Sequence, residues 1–376
     1  MKLTEMNVRG LPKLQQRALM RLQLRFTAET LRLYSEFGDK LTASVLRSGD
    51  SDGMLDAAKF TLNMAGLNDR WGSLQRQWGK VFERAREQAA SIPFGALVVR
   101  HNFYLRGMTL PVTEAYSPTN PLPAADAATM TAHWQALRQR TLDNAAARIY
   151  SDGFSLSSRI WRLEADGLET IRRTLTGALA TQTSAAELAK LLTSQLGAGQ
   201  DCPRWAYGRL YGMTAKERAT STAGLRSGTP CDAKGLAYNA LRLARNEIQI
   251  AHQRMTDDLF RVSPWITGEH VRLSATHPKP DECDDAAHGG PYEPGKITLP
   301  LHVQCMCYKE AVLMAVDDFR RQVRGWLDGG NDFLDGYGDW LTVNPVGQFD
   351  WSMYIPKTLE VWLNELAADH SAALGV

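Results

Sequence analysis

The sequence has 376 residues, of which 44% are hydrophobic and 22% charged, and its formal net charge is +2. These values are typical of a folded protein of about two or three domains and exclude a disordered chain. Because the net charge is near zero, the composition of the whole chain does not indicate nucleic-acid binding. Five cysteines, three of them clustered, favour reduced thiols or metal ligands over a secreted disulfide framework. The stretch MKLTEMNVRGLPK lacks the apolar core of a signal peptide, so we expect a soluble cytoplasmic protein that spans no membrane.

Residues 1–123 are predicted to form a basic helical N-terminal region. A helix is expected from Pro12 to Phe37, ended by Gly38 and Asp39. Its apolar stripe follows helical spacing and comprises Leu11, Leu14, Ala18, Leu22 and Phe26. A neighbouring stripe is basic and comprises Arg17, Arg21, Arg25 and Arg32. This basic stripe either is a solvated face or lies against phosphates or an acidic partner.

A second helical region is indicated by Trp71, Leu74 and Trp78, which are expected to be core residues. The apolar run at residues 94–99 is interpreted as a short strand, and residues 117–123 as a linker that ends the region.

Residues 124–312 are predicted to form a second domain. Helices are expected over residues 124–150 and 151–196, with a capping box formed by Ser184 and Glu187. A strong helical pattern covers residues 236–260. The alternating run at residues 270–276 predicts a strand that leads directly into a long loop.

Residues 313–376 are predicted to form an acidic, aromatic extension that begins with a helix. Residues 308–376 contain 5 Lys and Arg against 11 Asp and Glu, whereas residues 1–106 contain 17 against 10. This asymmetry predicts two surfaces with different partners, although two solvated faces would give the same pattern.

The loop from His277 to Cys307 concentrates metal-ligand residue types. Its proline and glycine content excludes a regular helix or a long strand, so we expect a metal ion, zinc above all, to hold it. The candidate ligands are Cys283, His302, Cys305, Cys307, His277 and His288. Tetrahedral zinc needs four of these six; the first four are the preferred set, with His277 and His288 as replacements. The alternative is a loop with buried free thiols and hydrogen-bonded histidines.

The carboxylates around Cys283 are expected either to be solvated or to orient ligand imidazoles; they are Asp281, Glu282, Asp284 and Asp285. The sequence contains no HExxH motif and no deaminase, phosphate-loop or nucleophile-elbow pattern, so a structural ion is favoured over a catalytic one.

Four pieces of sequence occur in an order that carries a family likeness. They are SLSSRIW, YNALRLARNEI, HPKPDECD and an ending of the form P-x-H-x-x-C-x-C. Over residues 150–312 the chain resembles the Mu F-like minor head proteins of tailed bacteriophages, also called phage head morphogenesis proteins. It departs from the family motifs at Asn246, Val303 and Met306, and it lacks the second cysteine of the usual Cys-x-x-Cys.

The resemblance implies a predominantly helical α+β fold, in which a helical N-terminal region precedes a small Mu F-like domain similar to ADP-ribosyltransferases. It also implies a structural and morphogenesis protein of the phage head, not an enzyme. Such a protein is expected in the virion, at the portal or head interior, after assembly in the host cytoplasm. Its expected partners are the portal protein, the major capsid or scaffolding protein, and packaged double-stranded DNA, with a role in packaging or ejection.

Two other functions are compatible with the same residues. An ADP-ribosyltransferase-like enzyme carried in the head would use Arg245 and Glu247 as candidate polar residues and would need a nicotinamide pocket. A zinc-dependent nucleic-acid binder would show DNA affinity that falls steeply with salt.

Overall fold

The structure is a computed structural model. It describes residues 5–105, 136, 138–150, 153–196, 236–274, 277, 280–302 and 305–333. The predicted linker at 117–123, the acidic extension beyond residue 333, Cys202 and Cys231 therefore lie outside the described residues.

The described part of the chain is mostly helical. The helices are α1 (Glu5–Leu46), α2 (Ala57–Met64), α3 (Leu67–Leu105), α4 (Leu156–Ala180), α5 (Ala185–Leu196), α6 (Leu236–Val262), α7 (Glu282–His288) and α8 (Val316–Leu327). The strands are β1 (Ile266–Arg272) and β2 (Tyr308–Leu313). Residues 138–147 are also helical. This composition confirms a predominantly helical α+β protein.

Helix α1 contains the predicted N-terminal helix but extends beyond it. Leu11, Ala18, Leu22 and Phe26 are all buried, as their spacing predicts. The predicted end at Gly38 and Asp39 is wrong, because α1 continues to Leu46. Gly38 is buried, and a Cβ placed on it would lie 3.4 Å from Leu196 Cδ1. This position therefore packs against α5 inside a continuing helix, where the sequence pattern indicated a helix end.

Helix α3 places Trp71, Leu74 and Trp78 in the core, with 1%, 4% and 1% of their surfaces exposed. The predicted strand at residues 94–99 is wrong, because these residues belong to α3 and Pro93 lies inside the helix. A short apolar run cannot be assigned to a strand or a buried helix from periodicity alone.

Of the helix predicted over residues 124–150, residues 138–147 are helical and residues 124–135 lie outside the described residues; α4 and α5 lie within 151–196. Ser184 and Glu187 form the expected capping box, in which Glu187 N donates to Ser184 Oγ at 3.3 Å and Ser184 N donates to Glu187 Oε2 at 3.3 Å. Helix α6 covers the predicted range 236–260 and buries the face that carries Leu241, Ala244 and Ile248.

The two strands pair antiparallel and frame the loop of interest. Val271 lies opposite Lys309, and Arg272 lies opposite Tyr308. The predicted strand at 270–276 is therefore present but lies earlier, because β1 begins at Ile266 and ends at Arg272. The loop leaves the end of β1 and returns at the start of β2, so sheet pairing fixes both of its ends.

The chain divides into two compact units, each built from separated parts of the sequence. Unit 1 comprises residues 1–20, 87–145 and 249–376, and unit 2 comprises residues 21–86 and 146–248. The three consecutive domains expected from the sequence, 1–123, 124–312 and 313–376, stay a prediction, although the boundary after residue 312 falls inside β2.

Each unit has an aromatic core. In unit 2, Trp78 stacks on Phe82 with ring centroids 5.2 Å apart. In unit 1, Tyr104 stacks on Trp265 at 5.6 Å, and the edge of Phe319 packs on both rings. Among the residues that the structure describes, no helix has both the length and the apolar character needed to cross a membrane.

Candidate metal centre

The candidate ligands of unit 1 come from two short segments of the loop. Cys283 lies in the first turn of α7, a helix that the sequence reading did not anticipate. Asp281 caps this helix by accepting from Cys283 N at 2.8 Å, and Asp284 accepts from Asp281 N at 2.8 Å. This reciprocal capping box fixes the backbone that presents Cys283. Cys305 and Cys307 lie in the irregular segment just before β2.

The three thiols meet in the interior of unit 1. Cys283, Cys305 and Cys307 are 0%, 2% and 1% exposed. The sulfurs of Cys283 and Cys305 lie 3.5 Å apart, and the thiols of Cys305 and Cys307 are hydrogen-bonded. Tetrahedral zinc with bonds of about 2.3 Å separates two ligand sulfurs by about 3.8 Å. The sulfur spacing therefore fits a common ion after small adjustments.

Two of the predicted histidines lie close enough to complete such a site. A nitrogen of His277 lies within 4.8 Å of the sulfurs of Cys283 and Cys307, which are themselves this close to each other. His302 forms a similar group with Cys283 and Cys305. The structure therefore forms two three-ligand groups that share Cys283, one with His277 and Cys307 and the other with His302 and Cys305.

Both histidines contact carboxylates. His277 Nε2 lies 2.8 Å from Asp284 Oδ2, and His302 Nε2 lies 3.3 Å from Asp281 Oδ2. The pKa of the Asp284 carboxyl lies below its usual range. The largest cause is the hydrogen bond from the backbone N–H of Asp281, and the next is the hydrogen bond with the His277 side chain. Zinc-ligating histidines commonly bond a carboxylate through the ring nitrogen that is not on the metal. The expectation that nearby carboxylates orient imidazoles thus fits Asp281 and Asp284, whereas Glu282 and Asp285 are exposed.

The remaining candidate, His288, belongs to none of these groups. It is exposed at the end of α7, and its Nδ1 lies 2.6 Å from the carbonyl oxygen of Asp284 in its own helix. The helical turn that places Cys283 toward the core thus leaves His288, five residues later, at the surface. The structure gives His288 no support as a ligand.

The thiol cluster favours a state with one deprotonated sulfur. The hydrogen bond from Cys307 lowers the pKa of Cys305 to about 6. Burial raises the pKa of Cys283, and the hydrogen bond to Cys305 raises the pKa of Cys307. Three thiolates without a cation would repel one another strongly in a buried site. A divalent cation would supply the compensating charge and release the remaining protons.

The loop is also held by groups that have no part in metal binding. Tyr292 pairs with Glu269 of β1 through two backbone hydrogen bonds of 2.8 Å. The buried carboxylate of Glu269 accepts from the backbone N–H of Gly295 at 2.9 Å and of Ile297 at 3.0 Å. These backbone and carboxylate contacts hold the loop in addition to any metal ion that the sequence predicts there.

The candidate polar residues of the enzyme alternative lie in unit 2. Glu247 has 1% of its side chain exposed; it accepts from the Tyr150 hydroxyl, pairs with Arg148 at 3.3 Å and accepts from Asn246 at 3.2 Å. Arg245 is 5% exposed and donates to Thr27 Oγ1 at 3.1 Å. These contacts give both residues a structural role inside unit 2.

Comparison with known proteins adds no relative: no family model, no curated protein and no solved structure matches this chain.

The sequence indicated three cysteines and three histidines as candidate ligands. The fold places all three cysteines and two of those histidines close to one another. Sequence reasoning missed helix α7, although the spacing of Asp281 and Asp284 before an apolar pair is a local sign of a helix start. It gave no indication of which histidine would lie at the surface, because that depends on the turn of α7.

Proposed function

We propose that the cluster binds one structural zinc ion through Cys283, Cys305, Cys307 and one histidine, with His302 preferred and His277 as the alternative. The observation that carries the proposal is that three buried sulfurs lie beside two histidines, each of which is close to a carboxylate. Bound there, zinc would join the start of α7 to the segment before β2. It would supply charge compensation and a cross-link, with all of its coordination positions filled by protein.

Zinc binding can be tested on the purified full-length protein by metal analysis and by the absorption spectrum of the cobalt-substituted form. We expect one metal per chain and the intense thiolate-to-cobalt bands of a site with several sulfur ligands. A metal content far below one per chain, with unchanged folding in chelator, would identify the cluster as free buried thiols.

The histidine ligand can be identified with three matched variants. His302→Ala is expected to weaken zinc binding and shift the cobalt spectrum, because one coordination position passes to water. His277→Ala tests the alternative ligand, and His288→Ala serves as the control because His288 is exposed and outside the cluster. An effect of His288→Ala as large as that of the other two would contradict the assignment.

At the level of the organism, we propose that the chain is a minor head protein of a tailed bacteriophage that acts in head assembly and associates with the portal and the head interior. The order of motifs supports this role, and the proposed metal centre occupies the Cys/His part of the resemblance. We propose the portal protein, a capsid or scaffolding protein and packaged DNA as partners. Neither the activity nor the location in the virion depends on catalysis by the metal.

The head function predicts that the protein copurifies with particles. Mass spectrometry of purified heads from a producing host should detect it at low copy number, and empty portal-containing precursors should retain it. Absence from both kinds of particle would overturn the proposal. The enzyme alternative is tested by incubation with labelled NAD and host lysate, where robust label transfer would replace the structural function by an ADP-ribosyltransferase.

A further inference from the structure

The segment from Cys305 to Cys307 must keep one backbone conformation for both of its thiols to reach the same site. All three of its residues are buried, and the segment lies outside the helices and strands. At the start of the segment, Cys305 N donates to the carbonyl oxygen of His302 at 3.2 Å. Further along the segment, the carbonyl groups of Met306 and Cys307 accept hydrogen bonds from side chains.

Three glutamines bond those two carbonyls. Gln16 of α1 donates through Nε2 to the carbonyl oxygen of Met306 at 2.8 Å. Gln249 and Gln253 of α6 donate to the carbonyl oxygen of Cys307 at 3.1 Å and 3.4 Å. The two α6 residues are four apart and therefore lie on the same face of that helix. Consecutive peptide groups of the ligand segment are thus held from two helices, all within unit 1.

Simple packing does not explain these glutamines. Gln16, Gln249 and Gln253 are 4%, 1% and 0% exposed, and a buried amide is costly unless its polar atoms are hydrogen-bonded. Each donates to the segment, while its Oε1 atom is buried with no hydrogen-bond partner in the part of the chain that the structure describes. An apolar side chain of similar size would fill the same volume without this cost. The amide donors must therefore provide something that packing alone does not.

We propose that Gln249, Gln253 and Gln16 are positioning residues of the metal centre. Their amide groups hold the peptide groups of Met306 and Cys307 so that the Cys305 and Cys307 thiols face one ion. This inference rests on the zinc centre proposed above. It also makes metal binding dependent on the packing of two helices, one of which contacts the loop from about 290 residues away in the sequence.

The test uses full-length variants in which methionine replaces glutamine, because methionine keeps the length and volume of the side chain but cannot donate. We expect Gln249→Met combined with Gln253→Met to weaken zinc binding about 10–100-fold, the usual effect of losing a group that orients a ligand. Zinc affinity is measured by competition with a chromogenic chelator, and the geometry by the cobalt absorption spectrum. Gln16→Met, on the other helix, provides an independent variant if the double variant folds poorly.

The matched control is Gln75→Met. Gln75 is also buried, at 7% exposed, but it lies in unit 2 and bonds the Tyr34 hydroxyl at 3.4 Å. The melting temperature of each variant in excess chelator separates a general loss of stability from a specific loss of metal affinity. Weakened zinc binding with an altered cobalt spectrum and a nearly unchanged melting temperature in chelator supports the inference.

Two other outcomes have separate meanings. If the wild-type protein binds no zinc, the proposed centre itself is wrong. If the wild type binds zinc, and the variants of Gln16, Gln249 and Gln253 bind it with the wild-type affinity and cobalt spectrum, the centre stands and the positioning role is overturned. A drop in stability in chelator with unchanged zinc affinity also overturns it, because the glutamines would then act only in folding.

Discussion

At the scale of single residues, unit 1 contains a buried charge cluster next to the loop. The side chain of Lys309 is 0% exposed, and its Nζ lies 2.5 Å from Asp257 Oδ1 and 2.9 Å from Glu269 Oε1. Because Glu269 also accepts two backbone N–H groups of the loop, this cluster joins α6, both strands and the loop. Removing Lys309 would leave two buried carboxyl groups without their cation, so such a cluster fixes a conformation strongly.

Asp257 makes this cluster sensitive to pH. Burial, opposed by Lys309 and reinforced by Glu269, raises the pKa of Asp257 to about 6, from 3.8. A carboxyl whose pKa is higher in the folded state stabilises the protein when protonated. That contribution is complete below about pH 3.8 and is lost as the pH rises through about 6.

We therefore predict that Asp257→Asn changes the pH profile of stability. Between pH 4 and pH 7 the free energy of unfolding of the variant should rise relative to wild type by up to about 3 kcal/mol, the equivalent of about two pKa units. Urea unfolding at a series of pH values measures this difference. A constant difference across the range would show that Asp257 does not titrate as described.

At the scale of elements, the contact between α3 and α4 in unit 2 depends on a glycine. Gly167 is buried in α4, and a Cβ placed on it would lie 2.5 Å from Trp71 Cζ2. Trp71 is itself fixed, because its Nε1 donates to the carbonyl oxygen of Glu164 at 3.0 Å. The large ring therefore has little freedom to move away from an added methyl group.

This geometry predicts opposite effects of alanine at two glycines of one helix. Gly167→Ala should destabilise the protein by about 1–3 kcal/mol, because overpacking exceeds the gain in helix propensity. Gly177→Ala, where an added Cβ meets nothing within 4 Å, should stabilise it by up to about 1 kcal/mol. Thermal unfolding of both variants is the measurement, and equal effects would refute the proposed contact.

At the scale of the whole molecule, the two units differ in their relation to the metal. Every candidate ligand that the structure brings together lies in unit 1, whereas α2 and α5 lie entirely in unit 2. A ligand that binds only the folded state stabilises it by about 4 kcal/mol at 1,000 times its dissociation constant. The effect of removing zinc should therefore be concentrated in unit 1.

Hydrogen exchange measured by mass spectrometry can resolve this difference. Chelation should accelerate exchange in peptides covering α7 and β2 and leave peptides from α2 and α5 unchanged. Uniform acceleration along the chain would show that the units unfold as one, and no change anywhere would argue against a structural ion.

The sequence alone determined those features whose causes are local. Apolar periodicity predicted α6, because one face of this helix is buried from Leu236 to Phe260. The Ser184 capping box was predictable because its two residues are neighbours in the chain. The density of cysteine and histidine in the loop located the candidate metal centre for the same reason.

Only the tertiary structure decided the features that depend on distant residues. Gly38 lies inside α1, where it packs near Leu196, more than 150 residues later. Residues 94–99 are helical because α3 continues through them. The loop from His277 to Cys307 contains both kinds of feature, those that are local in the sequence and those that depend on distant residues. Its sequence supplied six candidate ligands, but the fold placed five of them in two groups that share Cys283 and left His288 at the surface. The fold also brought glutamines from α1 and α6 to the carbonyls of Met306 and Cys307. No local pattern records a hydrogen bond between residues so far apart, because chain folding alone brings them into contact.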